Sequence, residues 1–290
     1  MLERFSFRKE YRARSLFIIF NLLFLAIMCF IVMLPMVKVL VDSFDEKAAR
    51  TEFRLFPKQV SVEAYLRILS QPNLYQPFLN SVFTSSVGTI LALVISGFMA
   101  YALTRRDLPG RNLIMKLIMV TMVFRAGIIP LYMVVKNLGL RDSLWAIILA
   151  HAIETYYLIL LRNFFDTIPR GIEESAEIDG ATPIGIFFKI VLPLSKPGLA
   201  AIGLFYVVLY WNQFFQFIIF IDTPEKMNLQ VRLKELVLDS TSQSDMGGHD
   251  LPPESLKNAV IILNILPVLI LYPLLQRHFV KGINLGAIKG

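Results

Sequence analysis

Residues 173–198 read EESAEIDGATPIGIFFKIVLPLSKPG, a passage out of character with the chain around it. Glu173, Glu174, Glu177 and Asp179 crowd its start, Pro193 and Pro197 close it, and long uncharged stretches lie on both sides. The residues sort into two short helices. Ile172–Asp179 carries its acids toward the N-terminal half, where the helix dipole favours negative charge, and Gly180 permits a turn. Thr182 is an N-cap residue with Pro183 at the first helical position. Ile184, Phe187, Phe188 and Val191 then recur at helical spacing as one apolar face, which Pro193 and Pro197 end. The expected object is an elbow: two short helices around a glycine, with a greasy face on the second.

What flanks the elbow sets the class. The chain has 290 residues, is 56% hydrophobic and only 18% charged, and has a mean hydropathy of +0.60, outside the range of soluble domains. Six segments approach the roughly 20 apolar residues that a helix needs to cross a hydrocarbon core. They are 15–41, 78–103, 113–135, 143–161, 199–221 and 259–276, and the second, fifth and sixth contain no charged residue. This predicts an all-α, polytopic membrane protein with six transmembrane helices in a single transmembrane domain over 1–290. The first segment is too long for a signal-peptide core and no small-x-small site follows it, so it is expected to remain as an anchor. Pro35, Pro130, Pro267 and Pro273 fall within or at the ends of spans and predict kinks.

Orientation follows from the cations near span ends. Arg4, Arg8, Lys9, Arg12 and Arg14 precede the first span, Arg105, Arg106 and Arg111 follow the second, and Arg277, Lys281 and Lys289 follow the sixth. With six spans these all lie on one side. That side is therefore cytoplasmic, and it holds both termini and the elbow. The segment 222–254 carries seven acids against Lys226, Arg232 and Lys234 and belongs outside, with a short helix at LQVRLKELVL and a loop at SDMGGHDLPPES. The net charge of +7 thus reflects topology in a lipid bilayer and is no nucleic-acid signal.

The acidic cluster lacks the partners that chemistry requires. The loop holds no His or Cys, and His151, His249 and His278 are scattered along the chain. Neither a nucleophile beside a base nor a ligand set for a metal is visible, so no catalytic and no metal residue is assigned. Cys29 is alone and is read as a small packing residue; no disulfide can form within one chain. No G-x-x-x-x-G-K-[ST] phosphate loop occurs, so the chain has no cofactor of its own and no ATP hydrolysis by that route. An amphipathic helix in an anchored loop packs on a partner or on its own bundle, and docking is the better reading.

The residues of the elbow also resemble a known family. Glu174, Ala176, Gly180, a nine-residue gap, then Ile190, Leu192 and Pro193 match the EAA loop, E-A-A-x-x-x-G-x9-I-x-L-P, with Ser175 in place of an alanine. That loop marks the membrane subunits of binding-protein-dependent ABC importers. GIIP at 127–130, LRNFFDTIP at 161–169, YWNQFF at 210–215 and FVKGINLGAIKG at 279–290 extend the likeness to nearly the whole chain. It is similar to the MalG-type sugar permeases, and most to the branch serving oligosaccharides and polysaccharide fragments. The resemblance implies a coupling helix seated in a cytoplasmic ABC ATPase dimer, which binds ATP and Mg. It further implies a homologous permease as a heterodimer partner, an extracytoplasmic solute-binding protein, and a place in the bacterial cytoplasmic (inner) membrane. Glu174, Ser175, Ala176, Asp179, Gly180, Ile190, Leu192 and Pro193 would form the joint, and the tail 281–290 resembles tails that reach toward the ATPase.

The substrate pathway is sought among polar residues inside spans. Tyr210, Trp211, Asn212, Gln213 and Gln216 combine flat rings with amides, which suits stacking on and hydrogen bonding to a sugar. Trp211 lies too deep for an interfacial aromatic belt, which favours cavity lining. Arg125 and Glu154 are charges within the third and fourth spans. Either they pair across the helices, or they face the cavity, where Arg125 would suit an acidic sugar through bidentate contact with its carboxylate. His151 and Glu154, three residues apart, read as a polar packing pair. Two rival classes remain. An ion-gradient transporter would show a two-half repeat and paired ion ligands; a membrane enzyme would show clustered His or acids. Neither pattern is visible in the sequence.

Overall fold

From Asn80 every fourth residue is small or short: Asn80, Thr84, Gly88, Ala92, Ser96, Ala100 and Thr104. The computed structural model describes residues 2–48, 53–124, 126–245 and 253–286, and in it all seven are buried along one helix. Spacing of four makes a single row that winds slowly around a helix of 3.6 residues per turn. Small side chains there let neighbouring backbones approach closely.

In chain order the helices are α1 (Leu2–Ser43), α2 (Glu63–Leu69), α3 (Tyr75–Thr104), α4 (Arg111–Val123), α5 (Ile128–Asn137), α6 (Leu144–Ala150) and α7 (Thr155–Asp166). Then come α8 (Arg170–Ile178), α9 (Pro183–Ile186), α10 (Leu192–Leu194), α11 (Lys196–Trp211), α12 (Phe215–Phe220), α13 (Leu229–Asp245) and α14 (Pro253–Gly286). Among the described residues the one extended pairing is an isolated bridge between Asp45 and Val60. The fold is all-α, as expected.

By length and composition three helical stretches can cross a hydrocarbon core: Arg14–Ser43, Pro72–Thr104 and Glu254–Pro273. Three bent pairs pass the same test together: α4 with α5, α6 with α7, and Pro183–Leu194 with α11. The continuous helices expected over 113–135, 143–161 and 199–221 are thus each broken. The breaks fall at Phe124–Gly127, at His151–Glu154 and at Asn212–Phe214, and α6 and α7 meet at 55°. The fragment 229–238 expected as a short helix begins a 17-residue one, α13.

The chain divides into two compact units, Met1–Ser70 with Val237–Leu263 and Gln71–Leu236 with Asn264–Gly290. In the first, α1 exposes Leu16, Phe20, Phe24, Ile27 and Ile31 along its length. Past its end the buried Asp45 carboxylate accepts the backbone N–H groups of Lys47 (3.0 Å), Lys58 (3.0 Å) and Gln59 (3.3 Å), which closes the following loop.

In the second unit α3 is central and packs against α6, α7 and α11. Tyr206 and Tyr210 lie one turn apart on α11 and cross the small-residue row. A Cβ at Gly88 would stand 2.7 Å from Cζ of Tyr210, and Ser96 Oγ lies 3.0 Å from the Tyr206 hydroxyl. Both phenols reach the break between α6 and α7. Tyr210 donates to the Ile148 carbonyl at 2.8 Å, and the Glu154 N–H donates to the Tyr206 oxygen at 3.1 Å. These are the backbone groups that a helix end leaves without an intrahelical partner. The tyrosines therefore supply the hydrogen bonds that the break gives up.

At the N-terminal end of α3, Asn80 donates to the carbonyls of Glu225 (2.8 Å) and Met227 (2.9 Å), and Ser81 Oγ accepts the Leu229 N–H at 2.9 Å. Asp142 fixes the same connection from the other side. Its backbone has φ +58°, a left-handed conformation that Asp tolerates better than most residues. Its carboxylate accepts from Lys226 Nζ (2.7 Å), Thr223 Oγ1 (2.6 Å), Thr223 N (2.9 Å) and Asp222 N (3.0 Å). The Lys226 ammonium and then the Thr223 hydroxyl and N–H hold this carboxyl well below the usual carboxylate range. A depressed folded-state pKa gives a contribution complete above the unfolded value of about 4 and lost only as pH falls through the lower folded value.

Two outcomes follow from this packing. Gly88→Ala gains about 1 kcal/mol of helix propensity but crowds a pinned ring, a cost of about 1–3 kcal/mol. It is expected to lower the melting temperature of the detergent-solubilised protein, and adding Tyr210→Leu is expected to restore part of the loss. Amide hydrogen exchange over 222–228 is expected to stay slow down to pH about 4, whereas Asp142→Asn accelerates it at every pH above that.

Candidate functional site

The elbow forms at the C-terminal end of α3. Helix α8 closes with a Schellman pairing: the Gly180 N–H donates to the Glu177 carbonyl (3.0 Å) and the Ala181 N–H to the Ala176 carbonyl (2.9 Å). That closure requires a left-handed residue after the C-cap, and Gly180 supplies it at φ +82°. Thr182 then caps α9, its Oγ1 accepting the Gly185 N–H at 3.2 Å, with Pro183 in first place.

The second arm departs from expectation. It does not stop at Pro193 but widens into a π turn over Phe187–Val191, resumes as α10, and bends at Ser195 into α11. Pro193 has no N–H for the Lys189 carbonyl, and the wider turn just before it absorbs that loss. Pro197 sits in the first turn of α11, where no N–H is needed. The π turn also splits the apolar face foreseen over 184–191. Ile186, Phe187 and Val191 are buried in the bundle, with Phe187 packed on Phe98 (4.8 Å between ring centres) and Tyr101 (5.1 Å). Ile184 and Phe188 remain exposed, joined by Ile178 at 87% exposure.

Helix α8 carries two different rows, each at i, i+4. Glu174 and Ile178 point outward. Glu173 and Glu177 point back at the end of α3 and meet one guanidinium: Arg105 lies 2.8 Å from Glu173 Oε2 and 2.9 Å from Glu177 Oε1. Arg105 also donates to the Tyr101 hydroxyl and stands over its ring, 5.0 Å from the centre. Around it Arg111 (2.8 Å) and Arg162 (3.3 Å) donate to the Leu103 carbonyl and Arg170 to that of Thr104 (3.4 Å), so cations close the negative end of the α3 dipole.

The residues that match the loop motif divide accordingly. Ala176, Ile190 and Leu192 pack on the bundle, whereas Glu174, Ser175, Asp179, Gly180 and Pro193 are exposed. The ring of Glu173, Glu177, Tyr101 and Arg105 was not foreseen. Its one sequence signal is the Arg105–Arg106 pair directly after a charge-free segment.

The expected pathway residues separate as well. Tyr210 is buried against Gly88, and Trp211 is buried with its indole N–H on the Asn264 carbonyl (3.0 Å). Gln213 is buried with its amide on the Leu209 carbonyl (3.1 Å). Asn212 is exposed. Glu154 lies 2.9 Å from His151 Nδ1, and Gln216 Nε2 lies 3.3 Å from His151 Nε2, so these three form one polar string at the α6–α7 break. Arg125 and the tail 287–290 lie outside the described residues, as do the side chains of 281–286.

Residues 92–285 match the model of the family described as binding-protein-dependent transport system inner membrane component. The polygalacturonan/rhamnogalacturonan transport system permease protein YtcP of Bacillus subtilis is 45% identical over 274 residues, which covers 92% of this chain and 96% of that one. Protein LplC of the same organism is 41% identical over 285 residues, 96% of this chain and 97% of its own. Among solved structures, a chain of a bacterial ABC transporter involved in the import of the acidic polysaccharide alginate superposes with a TM-score of 0.83 at 31% identity, covering 92% of this chain and 98% of that one. The chain belongs to the family of inner-membrane components of binding-protein-dependent transport systems.

Proposed function

We propose that this chain is one of two membrane subunits of an ATP-driven importer for fragments of an acidic polysaccharide. In this reading six helical spans cross the bacterial cytoplasmic membrane, with α4–α5, α6–α7 and α11–α12 as broken ones, and both termini and the elbow face the cytoplasm. The elbow seats in a separate ATPase dimer, which binds ATP and Mg; a homologous permease completes the pathway, and an extracytoplasmic binding protein delivers the sugar. One observation carries the coupling role. The elbow buries Phe187 in its own bundle and still exposes Ile178, Ile184 and Phe188, with the exposed Glu174 one turn before Ile178 on α8.

The substrate class rests on kinship. The relative named for polygalacturonan and the structural neighbour named for alginate both handle polymers of acidic sugars. Of the pathway residues, Asn212 is exposed and the string Gln216–His151–Glu154 only half-buried, which suits contact with a sugar, while Tyr210 and Trp211 shape the wall from behind. Arg125 keeps the role of carboxylate contact.

The test is uptake by the assembled transporter in proteoliposomes. Oligogalacturonate is expected to enter with ATP, to enter equally with an uncoupler present, and to outcompete neutral oligosaccharides of equal length. Uptake that follows an ion gradient and ignores ATP would contradict the reading. At the elbow no atom of this chain lies near an added Cβ at Gly180, so within the chain a substitution there acts through backbone strain. Gly180→Val and Glu174→Lys are each expected to cut transport per ATP by about tenfold or to release the ATPase. Gly180→Asn, which tolerates left-handed backbone, is expected to retain most activity.

A further inference from the structure

We propose that Arg105 is a positioning residue of the transport cycle: the tie that holds the elbow to the end of α3, so that displacement of the elbow carries α3 with it. The inference rests on the elbow being the ATPase joint. It adds what transmits the movement and through which residues.

A single exposed ion pair would contribute little to such a hold. This one differs in three respects. One guanidinium serves both acids of a row, with nitrogen–oxygen distances of 2.8 and 2.9 Å. The Glu173 carboxylate is largely buried, its side chain 12% exposed, and it also accepts from the Tyr101 hydroxyl at 3.4 Å. Arg105 is the C-cap residue of α3, so no flexible linker separates the charge from the helix it must move.

The tie is also one of two grips. Phe187, on the far side of the Gly180 turn, packs against Phe98 and Tyr101 of the same helix. Ions hold the first arm of the elbow to α3 and aromatic rings hold the second. Two separated attachments fix the orientation of the elbow; without the ionic one, the first arm keeps only the Arg170 bond to the Thr104 carbonyl and the packing of Ala176, and can pivot more widely about the Gly180 turn. Loss of Arg105 is therefore expected to leave the elbow folded and its outward surface intact, while its first arm swings without α3. Lysine is a poor replacement, because a point charge cannot span two carboxylates as a planar fork does.

The experiment uses the complete transporter in proteoliposomes and reads two quantities: ATPase retained on purification through this chain, and ATP hydrolysed per sugar imported. Arg105→Gln is expected to retain the ATPase as the parent does, while ATP hydrolysed per sugar rises about threefold or more. Arg105→Lys should fall between the two, and the charge swap Arg105→Glu with Glu173→Arg should return the ratio toward the parental value. Should Arg105→Gln fail to assemble, Glu173→Gln with Glu177→Gln removes the same ion pairs and is expected to raise the ratio alike. The proposal is overturned if both neutral variants couple like the parent, or if the swap couples no better than Arg105→Gln. Gly180→Val, run in parallel, separates the two readings. If it uncouples while the Arg105 variants do not, only the tie fails; if neither uncouples, the elbow assignment fails with it.

Discussion

A helix broken inside an apolar environment must find hydrogen bonds for the backbone groups that the break sets free. Here the break between α6 and α7 finds them in two phenols, Tyr210 on the Ile148 carbonyl and Tyr206 on the Glu154 N–H. Those phenols can reach only because α3 offers no bulk where they cross it. Gly88 leaves the space that the Tyr210 ring fills, and Ser96 meets the Tyr206 hydroxyl. The row from Asn80 to Thr104 is thus a steric precondition for α11 and the broken α6–α7 pair to meet around one helix. A β-branched or aromatic residue at Gly88 would push the phenols away from the break.

The same helix serves both ends of the unit. Its 30 residues rise about 45 Å, so its termini stand at opposite ends of the bundle. At the first, Asn80 and Ser81 hold the connection that Asp142 also clamps. At the last, Arg105, Tyr101 and Phe98 hold the elbow. A rigid element fixed to a loop cluster at each end can carry displacement from one to the other as a rigid body. In the function proposed above, one end would face the ATPase and the other the sugar-delivering protein.

Much of this was legible in the residues, for identifiable reasons. Thr182–Pro183 and Gly180 specify a cap and a turn through local chemistry, and both form as expected, because neither depends on what lies around them. The charge-free spans were visible for the same reason: apolarity sums along the chain. The breaks within 143–161 and 199–221 were not, since HAIE and NQF carry no strong breaker and the groups that satisfy HAIE come from a distant helix. An ideal 3.6-residue period puts Phe187 on one face with Ile184 and Phe188, and the π turn before Pro193 breaks that period. Tyr210 and Trp211 were read as sugar platforms by residue type, but type alone cannot tell a ring that faces a cavity from one that fills Gly88's groove. The period of four in α3 was present in the sequence and would have pointed to it. Nothing local distinguishes Arg105 from Arg106 as a cation at the end of an apolar segment, because its acids lie about 70 residues away in sequence.

The central claim, that the elbow and α3 move as one body, is tested most directly by a distance measured in the working transporter. With Cys29 replaced by Ser, spin labels at Arg106→Cys and Gly171→Cys, both exposed positions outside the apolar patch, report the separation between the end of α3 and the first arm of the elbow. The account predicts one narrow distance distribution that is the same in the resting and the ATP-bound states. A distribution that shifts or broadens when ATP binds would contradict it.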